Sequence, residues 1–199
     1  MLLLFNSHLR LLLRFCMPYL LFALMVGCSS AVPVVKRSAG TRLSDFAVWT
    51  ADLRSDQLTN SFRIVLKTPA NSITGLCMIK KKDNEWHGTI INEMGMKAFD
   101  FIVADAKCEL LNVISMMDKW YIKKTVAEDL LFLFNVDNPQ TPFRKRIERF
   151  EQNGMKVVSY QKKQICITPD GAVRLVNPRR NLQYELRKMV EIDPNKVIL

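Results

Sequence analysis

Five segments between residues 61 and 114 alternate apolar and polar residues with a period of two, and short polar turns join them. In SFRIVLK, Phe62, Ile64 and Leu66 share one side of an extended chain, and the residues between them lie on the other. The next four runs are ITGLCMIKKK, WHGTII, MKAFDFIVAD and CELLNVI. This period is typical of half-buried strands, and short turns join antiparallel neighbours. The sequence therefore predicts an antiparallel meander.

A helix and further hairpins follow the meander. From Asp118, DKWYIKKTVAEDLLFLF places Tyr121, Leu130 and Phe134 toward one side, as expected of an amphipathic helix. RIERFEQNGMKVVSYQ and QICITPDGAVRLV then predict hairpins about Asn153-Gly154 and Asp170-Gly171, both with type I′ turns. LQYELRKMVEI predicts a last strand.

These elements predict an α+β fold with one curved antiparallel sheet of about nine strands, an incomplete β-barrel. The central helix is expected to cover its concave face, and SDFAVWTADLRSDQL predicts a short N-terminal helix over residues 44–58. A sheet that curls around a helix without closing leaves an apolar cleft. The expected lining residues are Phe62, Ile64, Leu66, Phe99, Phe101, Trp120 and Leu130. Packed core is the alternative for each of them.

The first 27 residues have the pattern of an export signal. Arg10 and Arg14 come before an apolar run over residues 15–27, and no acidic residue is present. Past Arg14 the run is short for a membrane span, which needs about 20 residues. Leu24-Met25-Val26-Gly27-Cys28 resembles a bacterial lipobox, which implies cleavage before Cys28 and lipidation of its thiol. A plain signal peptide or an uncleaved anchor is the alternative.

Three segments follow from that interpretation: a signal peptide over residues 1–27, a lipidated tether over 28–43 and one domain over 44–199. The chain of 199 residues less the signal of 27 leaves 172, enough for one domain with a core. Residues 144–188 hold 12 Lys/Arg and 4 Asp/Glu, which predicts a basic surface for anionic lipid head groups. A solvated face is the alternative. Nucleic acid is not expected, because an exported lipid-anchored protein seldom meets any.

The sequence does not favour an enzyme or a metal protein. After Cys28, the histidine and cysteine side chains, which are the ligands typical of zinc, are His87, Cys77, Cys108 and Cys166. They include no close pair such as C-x₂-C. A glycine-rich phosphate loop and G-x-S-x-G are both missing from the sequence. No catalytic residue, metal or cofactor is therefore predicted. The three cysteines allow at most one disulfide, and buried free thiols are the alternative.

The order of elements and the segment WHGTIINEMGMKAFDFIVADAKCELLN resemble LolB, the outer-membrane receptor of the bacterial lipoprotein-sorting pathway, and its relatives. The resemblance covers most of residues 44–192 and includes QNGMKVVSY and ITPDGAVRL. It implies an incomplete barrel with a helical lid, monomeric, whose interior accepts acyl chains from a soluble LolA-like periplasmic carrier.

In that family an apolar residue at the tip of a protruding loop assists cargo release into the membrane. The corresponding residue here is Met94, where leucine is commonest, and Glu93 stands where proline is often found. Met96 enlarges the apolar tip. Two alternatives remain open at this point: Met94 folds back onto the core, or it is an incidental exposed residue.

The resulting prediction is a lipoprotein of the outer membrane that faces the periplasm and handles acyl chains. Ser29 and Ser30 follow Cys28, without an aspartate that would suggest inner-membrane retention. The alternative function is that of a non-transporting assembly lipoprotein, which binds a partner protein through its sheet.

Overall fold

The computed structural model describes residues 32–39, 41–49, 59–69, 71–141 and 143–189. Their strands form one sheet in the order β1-β7-β8-β9-β10-β11-β2-β3-β4-β5-β6, with every neighbouring pair antiparallel. The strands are β1 (Arg42–Leu43), β2 (Thr59–Lys67), β3 (Ser72–Lys82), β4 (Glu85–Asn92), β5 (Lys97–Ala104), β6 (Lys107–Leu111), β7 (Ile147–Gln152), β8 (Met155–Tyr160), β9 (Lys163–Ile167), β10 (Val173–Asn177) and β11 (Leu182–Lys188). Within the described ranges there is one α-helix, α1 (Trp120–Asn135), and a 3₁₀ turn, Arg144–Arg146.

The prediction of one open, curved antiparallel sheet with an interrupting helix is confirmed. We call the face of the sheet that packs against α1 the inner face. Phe62 and Ile64 of β2 and Phe99 and Phe101 of β5 are all buried there, as their period-two spacing predicts. The sheet has eleven strands where about nine were expected, and one strand that the sequence did not predict is the two-residue β1, too short to leave a periodic signal.

The expected N-terminal helix is not shown. Residues 44–47 have no regular secondary structure, residues 48–49 form a bend, and residues 50–58 lie outside the described residues. The amides of Val48 and Trp49 donate to the Asp137 carboxylate at 2.8 and 3.1 Å, and the Trp49 indole donates to the Leu133 carbonyl at 2.8 Å. The apolar spacing of this segment therefore reflects burial against α1, with Trp49 only 1% exposed.

The two glycine turns of the C-terminal hairpins differ. Asn153 and Gly154 both have positive φ, 54° and 74°, as a type I′ turn requires. The type I′ prediction for Asp170-Gly171 was wrong. Of these two residues only Gly171 has positive φ, at 81°, and its amide donates to the Thr168 carbonyl at 2.9 Å. A third loop residue precedes them, and this geometry is that of a three-residue loop with a left-handed glycine.

The register gives the sheet two ends. The turns at residues 83–84 and 105–106 lie at one, which we call the closed end. The turn of residues 92–96, the segment 112–119 and the start of α1 lie at the other, the open end. Near the closed end, three rings pack against Phe134 at centroid separations of 5.3 to 5.6 Å; Trp49 and Phe101 are stacked on it and Trp86 is tilted. This aromatic cluster fills that half of the interior.

Candidate functional site

The turn of residues 92–96 is held by the side chain of Asn92. Its Oδ1 accepts hydrogen bonds from the amides of Met94 and Met96 at 3.0 and 2.9 Å. Gly95 has a φ of 78°, a left-handed conformation that suits glycine. Met94 is 84% exposed, so it does not fold back onto the core. The turn thus presents Met94 to solvent from a well-bonded backbone.

A β-bulge lies at the base of this turn. Ile90 pairs with Phe99 and Ile91 pairs with Lys97, which leaves Ala98 as an extra residue on β5. The Ala98 carbonyl accepts a hydrogen bond from the Ile114 amide at 3.0 Å. The bulge therefore couples the turn to the segment 112–119.

An apolar cavity of about 60 Å³ lies beside the turn, between α1 and the inner face. Three predicted lining residues meet there: Ile64, Leu66 and Phe99. The sequence reasoning did not find Met117 and Tyr184, which complete the wall with others from β3, β4 and α1. Tyr184 and Leu186 alternate in β11, and this period could have identified Tyr184. Small-ligand sites occupy roughly 300 Å³ or more. An acyl chain therefore requires α1 or the segment 112–119 to move.

The other predicted lining residues lie elsewhere. Phe62, Phe101 and Leu130 are packed core, each 2% exposed or less. Trp120 is 73% exposed at the first position of α1 and does not face the interior. It precedes the first inward residues of the helix, so the apolar stripe does not include it.

Exposed apolar side chains gather at the open end. Nine large apolar side chains of the described residues are exposed, and seven of them lie at this end: Ile73, Met94, Met96, Leu111, Met116, Trp120 and Tyr121. Val34 and Met189 are the other two. An exposed apolar group of this kind marks a surface for membrane, ligand or protein.

A buried ion pair lies between α1 and the inner face. The Asp129 carboxylate is fully buried; it lies 2.6 Å from the Lys163 ammonium and accepts hydrogen bonds from the Asn177 amide at 2.8 and 3.2 Å. Burial raises the pKa of Asp129, and Lys163 and Asn177 oppose that rise. Burial and the nearby Asp129 carboxylate raise the pKa of Tyr184. The pair joins the helix to β9 and β10.

Other depressions formed by the described residues have more polar walls. One of about 300 Å³ lies at the open end on the other side of α1, where Lys163, Arg179 and Arg180 contribute to its wall. Two more, of about 240 and 300 Å³, lie near Asp137 toward the closed end. Acyl chains favour apolar walls, so the small cavity beside the turn is the better candidate for lipid.

The three cysteines among the described residues are free thiols on different strands, Cys77 on β3, Cys108 on β6 and Cys166 on β9. Burial raises the pKa of Cys77 and Cys108 to about 12 and that of Cys166 to about 11. Thiols of this kind are poor nucleophiles at neutral pH. Among the described residues, three His, Cys, Asp or Glu side chains do not come together as metal ligands would.

Comparison of the chain with protein-family models, with curated proteins and with solved structures found no match. The described part of the chain has no helix long and apolar enough to span a membrane. Cys28 lies outside the described residues. The functional argument therefore rests on the geometry of the open end.

Proposed function

We propose that the protein is a lipoprotein of the outer membrane, facing the periplasm, that binds acyl chains of lipoprotein or lipid cargo and assists their delivery to the membrane. The observation that carries the proposal is the position of Met94. This apolar side chain is 84% exposed on a well-bonded turn directly beside an apolar cavity.

In this proposal the sheet acts as a half-barrel and α1 as its lid. The bound chain occupies an enlarged form of the cavity between Leu66, Phe99 and Met117. Each acyl-chain methylene buried from water contributes about 0.8 kcal/mol to the free energy of binding. The chain is therefore held by apolar contact, and its transfer involves no covalent step. A soluble LolA-like carrier supplies the cargo, and the protein works as a monomer without metal or cofactor.

Met94 and Met96 form the proposed contact with membrane and cargo. Methionine is flexible and polarizable, which suits contact with variable apolar partners. The link between this turn and the segment 112–119, through Ala98 and Ile114, supports a coupling between membrane contact and opening of the cavity.

The second candidate function is that of an assembly lipoprotein that binds a partner protein without transport. The small volume of the cavity favours it, because about 60 Å³ does not hold an acyl chain without rearrangement. The exposed apolar group at the open end would then contact the partner protein.

Uptake of a fluorescent fatty-acyl probe by the mature chain with Cys28→Ala separates the two functions. We expect saturable binding, and we expect Leu66→Glu, which puts a charge in the cavity wall, to abolish it. Absence of binding in the parent chain would reject lipid handling in favour of the assembly function.

Delivery is tested with Met94→Glu and the matched control Met189→Glu. Met189 is 51% exposed and lies at the closed end, after β11. We expect Met94→Glu to bind the probe normally but to release it more slowly to vesicles, and Met189→Glu to behave as the parent. Unchanged delivery by Met94→Glu would remove the proposed role of the turn.

A further inference from the structure

Residues 32–38 form a segment without helix or strand that lies on the outer face of the sheet, the face opposite α1. We call this segment the strap. The amide of Gln164 is bonded on both sides by one strap residue: its Oε1 accepts from the Val35 amide at 2.9 Å, and its Nε2 donates to the Val35 carbonyl at 2.8 Å. Gln164 is only 5% exposed, so the strap covers it and satisfies its polar groups.

The strap also completes a second apolar cluster. Phe150, Val157 and Cys166, on the outer face of β7, β8 and β9, are each 5% exposed or less, and Val35 packs against them together with Met155. A buried amide with both groups bonded and an apolar contact beside it define one position for the strap. It is therefore part of the fold.

The direction of the strap shows at which end of the domain its first residue lies. Its first residue, Val32, donates to Asn181 Oδ1 at 3.0 Å, and Asn181 lies in the turn between β10 and β11 at the open end. Further along, β1 pairs with Phe150 and Glu151, toward the closed end of β7. Val32, the first described residue, therefore lies at the open end.

Very little chain separates Val32 from Cys28. Residues 29–31 lie between Cys28 and Val32, and a fully extended chain covers at most about 14 Å over that distance. Such a reach is shorter than the domain itself, since the nine residues of β2 alone span about 30 Å. In the proposed lipoprotein, the anchored Cys28 is therefore within about 14 Å of Val32, whatever path residues 29–31 take.

The open end has the surface chemistry of a lipid-facing surface. Met116, Trp120 and Tyr121 are exposed there together with Met94. Exposed bases at the same end include Lys67, Lys119, Lys124, Lys162, Arg179 and Arg180, against the exposed acids Glu93, Asp118 and Glu128. Aromatic and apolar groups beside basic side chains fit the interface of a membrane that contains anionic lipid.

We infer that the strap fixes the orientation of the domain, holding the open end with Met94 and Trp120 against the membrane that carries the Cys28 anchor. The inference rests on the lipidation of Cys28 included in the proposed function. It adds to the proposed function a surface that the open end contacts, the lipid bilayer, and it gives the position of the strap as the cause of that contact. Cargo then leaves the cavity toward the membrane of the anchor itself.

Tryptophan fluorescence tests the orientation without cargo. The chain has three tryptophans, of which Trp49 and Trp86 are buried and Trp120 is exposed. The lipidated full chain, its acylation verified by palmitate labelling, is reconstituted in vesicles of phosphatidylcholine brominated in the acyl chains. Emission from Trp120 is obtained by subtracting the signal of Trp120→Phe, and we expect most of it to be quenched.

The matched control moves the reporter to the other end. Lys107 is exposed at the start of β6, at the closed end, so Trp120→Phe with Lys107→Trp places the reporter there. We expect emission from this second reporter to be unquenched. Equal quenching of the two reporters would overturn the proposed orientation.

A linker variant tests the strap. About twenty Gly/Ser residues inserted between Ser30 and Ala31 give an average reach of roughly 25 Å. In these neutral vesicles, where the bases gain no attraction, we expect the insertion to remove most of the quenching of Trp120. Full quenching in the linker variant would overturn the role of the strap. Acyl-probe binding by the Cys28→Ala chain is measured separately, so failure of the orientation and failure of lipid binding are distinguishable.

Discussion

At the scale of single residues, Gly88 illustrates how tightly the closed half of the interior is filled. A Cβ at this position would lie 2.1 Å from the Phe101 ring, well inside contact distance. That ring stacks on Phe134 at 5.3 Å, and both rings belong to the aromatic cluster. The bare backbone of Gly88 therefore makes room for the Phe101 ring.

Gly88→Ala is expected to lower the free energy of unfolding by about 1–3 kcal/mol, because Phe101 must leave its position in a packed core. Urea unfolding measures the loss. The double variant Gly88→Ala with Phe101→Leu should lose less than the sum of the two single changes, since leucine leaves room for the added methyl group. Strict additivity would mean that the two positions do not collide.

Residue roles were predictable from sequence where one period decided them. Alternation in β2 and β5 identified Ile64, Leu66 and Phe99 correctly as inward. The helical stripe failed at three residues. Trp120 and Tyr121 lie before the inward residues begin and are exposed, and Asp129 is a charged residue inside the apolar stripe. A buried carboxylate becomes predictable only when its partner on a distant strand is known.

At the scale of elements, the ion pair of Asp129 and Lys163 fixes α1 on the sheet. The two atoms are 2.6 Å apart, with Asp129 fully buried and the Lys163 side chain 18% exposed. Removing one partner of a buried pair leaves the other charge without compensation, which costs more than the pair contributes. The position of α1 on the sheet should therefore depend on both residues together.

Lys163→Met is expected to lower the free energy of unfolding at pH 7 by about 3 kcal/mol. Burial raises the pKa of Asp129 in the folded chain above its value in the unfolded chain. Folding therefore favours the protonated form of this carboxyl group. The cost of the unpaired carboxylate is present above that pKa and is relieved as the pH falls through it. The loss measured by urea unfolding should therefore be smaller at pH 4 than at pH 7.

Lys162→Met is the matched control, because Lys162 is exposed in the turn between β8 and β9. Its effect should stay within about 0.5 kcal/mol at both pH values. If Lys163→Met costs the same at pH 4 and pH 7, the carboxylate is not the source of the penalty.

Elements with their own periodic signal were predicted well, and those defined by distant contacts were not. The strands of the meander follow from alternation over at least five residues each. The strap has no period, since its place depends on Gln164 and on an apolar cluster more than a hundred residues later. The loop at Asp170-Gly171 was misread for a similar reason, because the register of β9 and β10 sets its length.

At the scale of the whole molecule, the interior is divided between a filled and a looser half. Trp86 and Val103 lie in the filled half, each 4% exposed or less. The segment 112–119 borders the looser half, with turn hydrogen bonds such as that from the Met117 amide to Ile114 and with Met116 71% exposed. Local opening should begin at this segment.

Amide hydrogen exchange is expected to be faster over residues 112–119 than in the strand amides around Trp86 and Val103. This difference supplies the motion that enlarges the cavity, because Met117 forms part of its wall. Mass spectrometry of peptides from the two regions measures it. Equal protection of both regions would mean that the cavity does not open by this route.

The edges of the sheet have a consequence for copies crowded on one membrane. A sheet that curls without closing exposes unpaired backbone at its borders, which invites polymerisation into fibrils. Here the border strands have two residues in β1 and five in β6, and the charged pair of Lys107 and Glu109 lies on β6. Short, charged borders disfavour such growth, so high local density should leave neighbouring molecules separate.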